Sequence, residues 1–406
     1  MKLNIDKCIP SVFFTFIFIK AFYGPLGLIS PMVNYLGAAL MLIFLLLKWG
    51  KSLLVRRDLV LVTLLLCIYI MIGVLKNGAF QAVFGIYVII PFLFSIAYSD
   101  ILSKKIFYNS YKIFLFLGVS CYLGVLFVNF YGAPWLGAKL NVAGYEKVLS
   151  RDWTTGGVLR NPGFTIASFD AATLLMICSF FISYYFREKK RWISSVIVLV
   201  IFIYPIYLTT TKTTMVIYFI MLTLYVMPGI VTVASSRMFL VGMVFFTYIY
   251  MIPSATHVKF DSSNSLEIRM YQTWPNAINY LQDGISVMFG NGIGSIGMPS
   301  TFSSLGRYNP ADNMLVYFFV ISGLVSLFAV ALLLFRFVTF RITKMNERKK
   351  YYLFAFCIFS GGLTYNLFES VFYAPFAGIL IGMLFNRNVL ASVDDDNLAD
   401  TNLSIR

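Results

Sequence analysis

Apolar residues along this chain are gathered into runs of 16 to 23 positions, separated by short polar clusters that carry most of the charge. The runs cover about 9 to 24, 31 to 47, 59 to 75, 79 to 98, 111 to 131, 164 to 186, 192 to 209, 213 to 229, 237 to 253, 313 to 335, 351 to 367 and 370 to 386. About 20 apolar residues in a helix cross the hydrocarbon of a bilayer, and each run has that order of length. The pattern predicts an all-α polytopic membrane protein with about twelve transmembrane helices. The first run lacks a small-residue cleavage site and the second follows almost at once, so it reads as a retained helix. The expected organisation is five spans in 1–131, an extramembrane segment at 132–163, four spans in 164–253, a large loop at 254–312, three spans in 313–386 and a tail at 387–406.

Composition agrees with this picture. The chain is 59% hydrophobic and 12% charged, against about 45 to 50% and 25% in soluble domains, which excludes a soluble enzyme. The net charge of +15 reads as a topology signal and not as a nucleic-acid footprint. With the N-terminus inside, 22 of the 32 basic residues fall on cytoplasmic segments, nine fall outside, and Lys20 lies within a run. The positive-inside bias then puts both termini in the cytoplasm. Five cysteines stand singly in apolar runs and His257 is the only histidine, a poor basis for a metal centre or a disulfide framework. No cofactor is expected.

The two outer segments, 32 and 59 residues long, exceed ordinary connections, and long loops with a folded composition tend to be functional. Between Ser263 and Asp283, Leu266, Met270, Trp274, Ile278 and Leu281 recur at helical spacing, with Arg269, Thr273 and Asn276 on another face. This predicts an amphipathic helix over the membrane mouth, interrupted at Pro275. Arg269 would face a cavity or pair on the surface with Glu267 or Asp261. Gly290 to Gly297 contains G-x-G-x-x-G, but without the βαβ context of a dinucleotide site it predicts only a close backbone approach, to substrate or to a neighbouring helix. Asp312, opening the tenth run, is placed as a helix cap or as a general base. Asp170, inside the sixth run, has Arg160 as candidate partner. Lys212, in a threonine-rich turn, can hold an anion or snorkel at a helix end. Together with Arg307, Glu369, Trp135, Trp153, Tyr271, Trp274, Tyr280 and Tyr308, these residues suit a lipid-linked phosphorylated substrate.

From about residue 155 to 335 the chain resembles the O-antigen polymerase and ligase superfamily, the Wzy-type polymerases among them. The resemblance lies in Arg160 to Gly163 before a span, the Thr209 to Thr214 turn, Arg269 before Trp274, the Gly290 to Gly294 turn, and Asp312 with Asn313 at the start of a span. Residues 1–150 match in hydropathy alone. The resemblance implies a GT-C-like architecture and metal-independent inverting glycosyl transfer at the periplasmic face, from a glycan on undecaprenyl diphosphate to the next lipid-linked repeat unit. It implies catalytic roles for Asp312, Arg269 and Arg160, and substrate contacts for Lys212, Arg307, Trp274, Tyr271 and Asn313. Its partners would be membrane lipid, a chain-length regulator and a flippase. Lys212 stands where the family usually carries arginine, and ligases usually carry histidine where this chain has Asp312. The second departure favours a polymerase over a ligase; a lipid-linked oligosaccharide flippase is the alternative from another class.

The charge distribution makes a direct prediction. On a background with the native cysteines replaced, a membrane-impermeant maleimide should label a cysteine at Asn141 in intact spheroplasts. A cysteine at Arg341 should react only after lysis; the reverse pattern would invert the topology.

Overall fold

The computed structural model describes residues 5–53, 57–142, 145–155, 157–251, 265–303, 310, 312–365 and 370–385. The chain begins with α1 (Ile5–Ala21), α2 (Tyr23–Ile29), α3 (Val33–Leu53), α4 (Arg57–Asn77), α5 (Ala79–Ala97), α6 (Ser99–Asn109) and α7 (Tyr111–Tyr131). Two antiparallel hairpins follow, β1 (Lys139–Val142) with β2 (Tyr145–Val148), and β3 (Thr154–Thr155) with β4 (Val158–Leu159). Next come α8 (Ser168–Glu188), α9 (Trp192–Leu208), α10 (Lys212–Val226) and α11 (Gly229–Met251). The segment between α11 and the closing helices holds α12 (Ser265–Ile268), a π turn (Arg269–Thr273), α13 (Trp274–Ile278), α14 (Gly284–Phe289) and a 3₁₀ turn (Met298–Phe302). The chain closes with α15 (Met314–Ser322), α16 (Leu324–Thr339), α17 (Met345–Thr364) and α18 (Tyr373–Phe385).

The architecture is that of an all-α polytopic membrane protein. Among the described residues, five helices are long and apolar enough to cross a bilayer, or six if the bent pair α1 and α2 is one span, and shorter apolar helices accompany them. Of the five, α8 is 83% buried and the others no more than 44%. A helix that is apolar all round and enclosed by its neighbours is the centre of a bundle, so α8 is the post around which the rest stand. The other long helices keep an apolar face outward, with Leu46, Phe130 and Phe246 among the exposed side chains. In water such a surface would aggregate; against lipid it needs no cover.

Three features depart from a one-run, one-helix reading. The first run splits into α1 and α2, bent by 86°, where the Trp135 ring presses so closely on Gly24 that a Cβ there would lie 2.5 Å from it. The tenth run breaks at Gly323 into α15 and α16. Residues 99 to 109, which carry too much charge to read as a span, form α6 and tie one end of the bundle together. Lys48 pairs with Asp100 at 3.9 Å, Lys350 reaches the Phe107 carbonyl at 2.6 Å, and Tyr108 donates to Glu347 at 2.8 Å.

The glycine-rich turn resolves its two alternatives in favour of packing. A Cβ on Gly290 would lie 2.2 Å from the Ile321 carbonyl oxygen, and one on Gly292 would lie 2.2 Å from the Gly73 nitrogen. The non-helical backbone here is tied to its neighbours by hydrogen bonds. The amides of Asn291, Gly292 and Ile293 donate to Val320, Ile321 and Tyr69 at 2.8, 3.0 and 3.0 Å. Side chains complete the set: Asn77 Nδ2 donates to the Asn291 carbonyl at 2.9 Å, and Gln81 Nε2 to the Gly294 carbonyl at 2.8 Å. Tyr69 lies eight residues before the end of α4, so the turn reaches about 12 Å down that helix.

Gly292→Ala combines a backbone collision with a φ of +77°, and is expected to cost about 3 kcal/mol. Gly284→Ala, where a Cβ meets nothing within 4 Å, should leave the melting temperature in detergent nearly unchanged. Equal melting temperatures for the two variants would refute the close packing.

Candidate functional site

Arg269 is placed by a local backbone anomaly. Pro275 has no N–H to continue an α-helical ladder, and the register shifts just ahead of it: the Trp274 amide donates to the Arg269 carbonyl, closing a π turn. The chain therefore passes Pro275 as a helix with a shifted register instead of being interrupted there. Trp274 is 4% exposed, and α13 packs on α11 and α15. This anchors the apolar face on the bundle as its periodicity predicts. Arg269 then turns inward, away from the surface pairing with Glu267. Its Nε meets Asp312 Oδ2 at 3.0 Å, its Nη1 donates to the Thr364 carbonyl at 3.1 Å, and its guanidinium lies 5.2 Å from the Tyr365 ring centre. Asp261, the other surface partner considered, is outside the described residues.

Asp312 is not the cap of α15. That role belongs to Asn313, whose Oδ1 accepts from the amides of Leu315 at 2.8 Å and Val316 at 3.4 Å. The extended backbone at Asn313 (φ −161°, ψ 129°) is that of an N-cap residue. Asp312, one position earlier, is left free of the helix end and forms the ion pair. Asn313 is fully buried, and its Nδ2 has no hydrogen-bond partner among the described residues.

A second charged group lies across a pair of rings. Phe169 stacks on Tyr365 with centroids 5.4 Å apart, and the Arg151 guanidinium lies 5.8 Å from the Phe169 ring. Arg151, Asp170 and Lys20 line one cavity of about 110 Å³, together with Phe169, Tyr23, Tyr87 and Met298. Ser370 Oγ donates to Asp170 Oδ1 at 3.4 Å. Asp170 thus faces Arg151 and not Arg160, and the reason is backbone placement. The Arg151 amide donates to Ile166 at 2.8 Å, which brings it beside the start of α8. Arg160 is held in the second hairpin by its amide on the Trp153 carbonyl at 2.7 Å, and its guanidinium lies over the Trp153 ring.

The remaining predicted residues are dispersed. Lys212 is exposed at the first position of α10 and Tyr271 is 39% exposed. Arg307, Tyr308 and Glu369 lie outside the described residues. Lys20 and Asp170 were legible as ionisable residues within apolar runs. Arg151 was not, because only the fold of 132–163 carries an arginine of that loop to the start of α8.

Chemically, Arg269 and Asp312 can separate two tasks. A phosphate oxygen competing for the guanidinium displaces the carboxylate, which is then free to accept a proton from a hydroxyl. Asn313→Ala is expected to lower stability by about 1 kcal/mol through loss of the cap, whereas Asp312→Ala should leave the cap intact; melting curves of the two variants in nanodiscs check this. Comparison with family models, with curated proteins and with solved structures finds no match to this chain.

Proposed function

We propose that this chain is a polysaccharide polymerase of the bacterial inner membrane, with twelve spans, both termini in the cytoplasm and a GT-C-like architecture. The observation that carries the reading is the ion pair of Arg269 with Asp312, part-buried at one end of an apolar bundle. In the proposed reaction a sugar hydroxyl of the acceptor repeat unit attacks the anomeric carbon of the donor glycan. The new glycosidic C–O bond forms as the bond to undecaprenyl diphosphate breaks, with inversion, and the diphosphate leaves with the electron pair. Arg269 neutralises the charge growing on that leaving group, and Asp312 takes the hydroxyl proton. Arg160 and Lys212 are the further cations proposed for the approaching diphosphate. Trp274 and Asn313 support the site from within the bundle.

A second reading has its own observation. Lys20 and Asp170, both within apolar helices, line a shared cavity, and ionisable residues inside a membrane bundle are a feature of transport paths. Chain extension by purified protein given lipid-linked units separates a polymerase from a flippase.

Arg269→Ala and Asp312→Asn should each leave the protein in the membrane and cut chain extension by about 100-fold or more. In cells the long glycan ladder would collapse to single repeat units. A normal ladder with Asp312→Asn would remove the base assignment, and one with Arg269→Ala would remove the reading.

A further inference from the structure

The cavity between α1, α5 and α8 holds charges that the proposed reaction does not use. Lys20 is 6% exposed and Asp170 fully buried, and Arg151 is half-buried at the outer edge. All three line the same space. Yet no salt bridge joins any two of them among the described residues. Lys20 gives one hydrogen bond, to the Asn34 carbonyl at 3.0 Å, and otherwise lies against the rings of Phe16 and Tyr23. The Arg151 guanidinium stacks on Trp153 at 4.4 Å and makes no side-chain hydrogen bond to a described residue. Asp170 Oδ2 has no hydrogen-bond partner among the described residues.

Charges buried in an apolar surrounding are costly unless paired and hydrogen-bonded. Two buried charges and a half-buried one around one void, with no ion pair between them, form a site that a ligand completes. Two cations against one carboxylate leave positive charge in excess, so the ligand carries negative charge. The unpartnered Oδ2 accepts a hydrogen bond, so the ligand also carries a donor. Phe169, Tyr23 and Tyr87 supply flat apolar faces to the same space. The cavity, about 110 Å³, is several times the roughly 30 Å³ that one water takes in the liquid, so polar groups of a ligand can enter it.

We propose that the cavity lined by Lys20, Arg151 and Asp170 is a binding site for an acidic sugar. Arg151 and Lys20 hold its carboxylate or phosphate, Asp170 accepts from a hydroxyl, and the rings cover its apolar face. The site is separate from the Arg269 and Asp312 pair, on the other side of the Phe169 and Tyr365 stack. It does not depend on the polymerase reading, since free sugars test it whether or not the protein extends a glycan.

The test uses the purified full chain in nanodiscs, with glucuronate, glucose 1-phosphate, glucose and serine as probes in separate titrations followed by melting temperature and calorimetry. Glucuronate or glucose 1-phosphate should bind and raise the melting temperature, and the stronger of the two identifies the acidic group. Glucose, lacking charge, and serine, whose zwitterion leaves the excess charge in place, should not. Arg151→Gln should weaken acidic-sugar binding about tenfold or more, while Arg269→Ala should retain it. Lys20→Met is the parallel variant; if it does not fold, Arg151→Gln, changed at a half-buried loop position, carries the test. Failure of both acidic sugars to bind, binding of glucose or serine as strongly, or unchanged affinity in Arg151→Gln would each overturn the proposal, and loss of binding in Arg269→Ala would place the ligand elsewhere.

Discussion

A peptide N–H packed away from water must find another acceptor, and residues 290 to 297 are arranged around that cost. The amides of Asn291, Gly292 and Ile293 donate to the last carbonyls of α15 and to Tyr69 of α4, and the carbonyls of Asn291 and Gly294 accept from Asn77 and Gln81. Both charged groups depend on these bonds. The turn holds the inner end of α15, whose outer end begins at Asn313 and so positions Asp312. Leaving the turn, the chain runs to Met298, which lines the cavity of Lys20 and Asp170. The glycines permit this because any Cβ at Gly290 or Gly292 would occupy the place of a backbone atom.

The two charged groups are satisfied in different ways. Arg269 and Asp312 face each other and are completed by a helix-end carbonyl and a ring, so each is stable without a ligand and available to exchange partners with one. Lys20, Arg151 and Asp170 surround a space instead of meeting across it. The stacked rings of Phe169 and Tyr365 stand between the groups, giving each guanidinium an aromatic face.

Much of the helical framework was legible before the fold. The runs at 79 to 98 and 111 to 131 coincide with α5 and α7 to within a residue. A peptide chain in an apolar medium must bond its own backbone, and a helix does so within the run itself. The breaks were not legible. Phe22 and Gly323 interrupt apolar sequence, and what bends the chain there is Trp135 in one case and α14 in the other, both remote in sequence. The partner of Arg269 was equally hidden. Glu267 and Asp261 are its neighbours along the chain, while Asp312 is brought to it only when α13 docks on α15.

The sequence by itself determined that this is a helical membrane protein, which residues are rare charges inside apolar runs, and that Arg269 and Asp312 belong to the long segment between two apolar runs. These follow from composition and local period, which any short window of chain contains. Only the tertiary structure decided that Asn313 and not Asp312 caps α15, that Asp170 faces Arg151 and not Arg160, and that the glycine turn approaches helix backbone. Each of those is a choice among partners distant along the chain, and it is made by packing and backbone hydrogen bonding across the bundle, which no local pattern records.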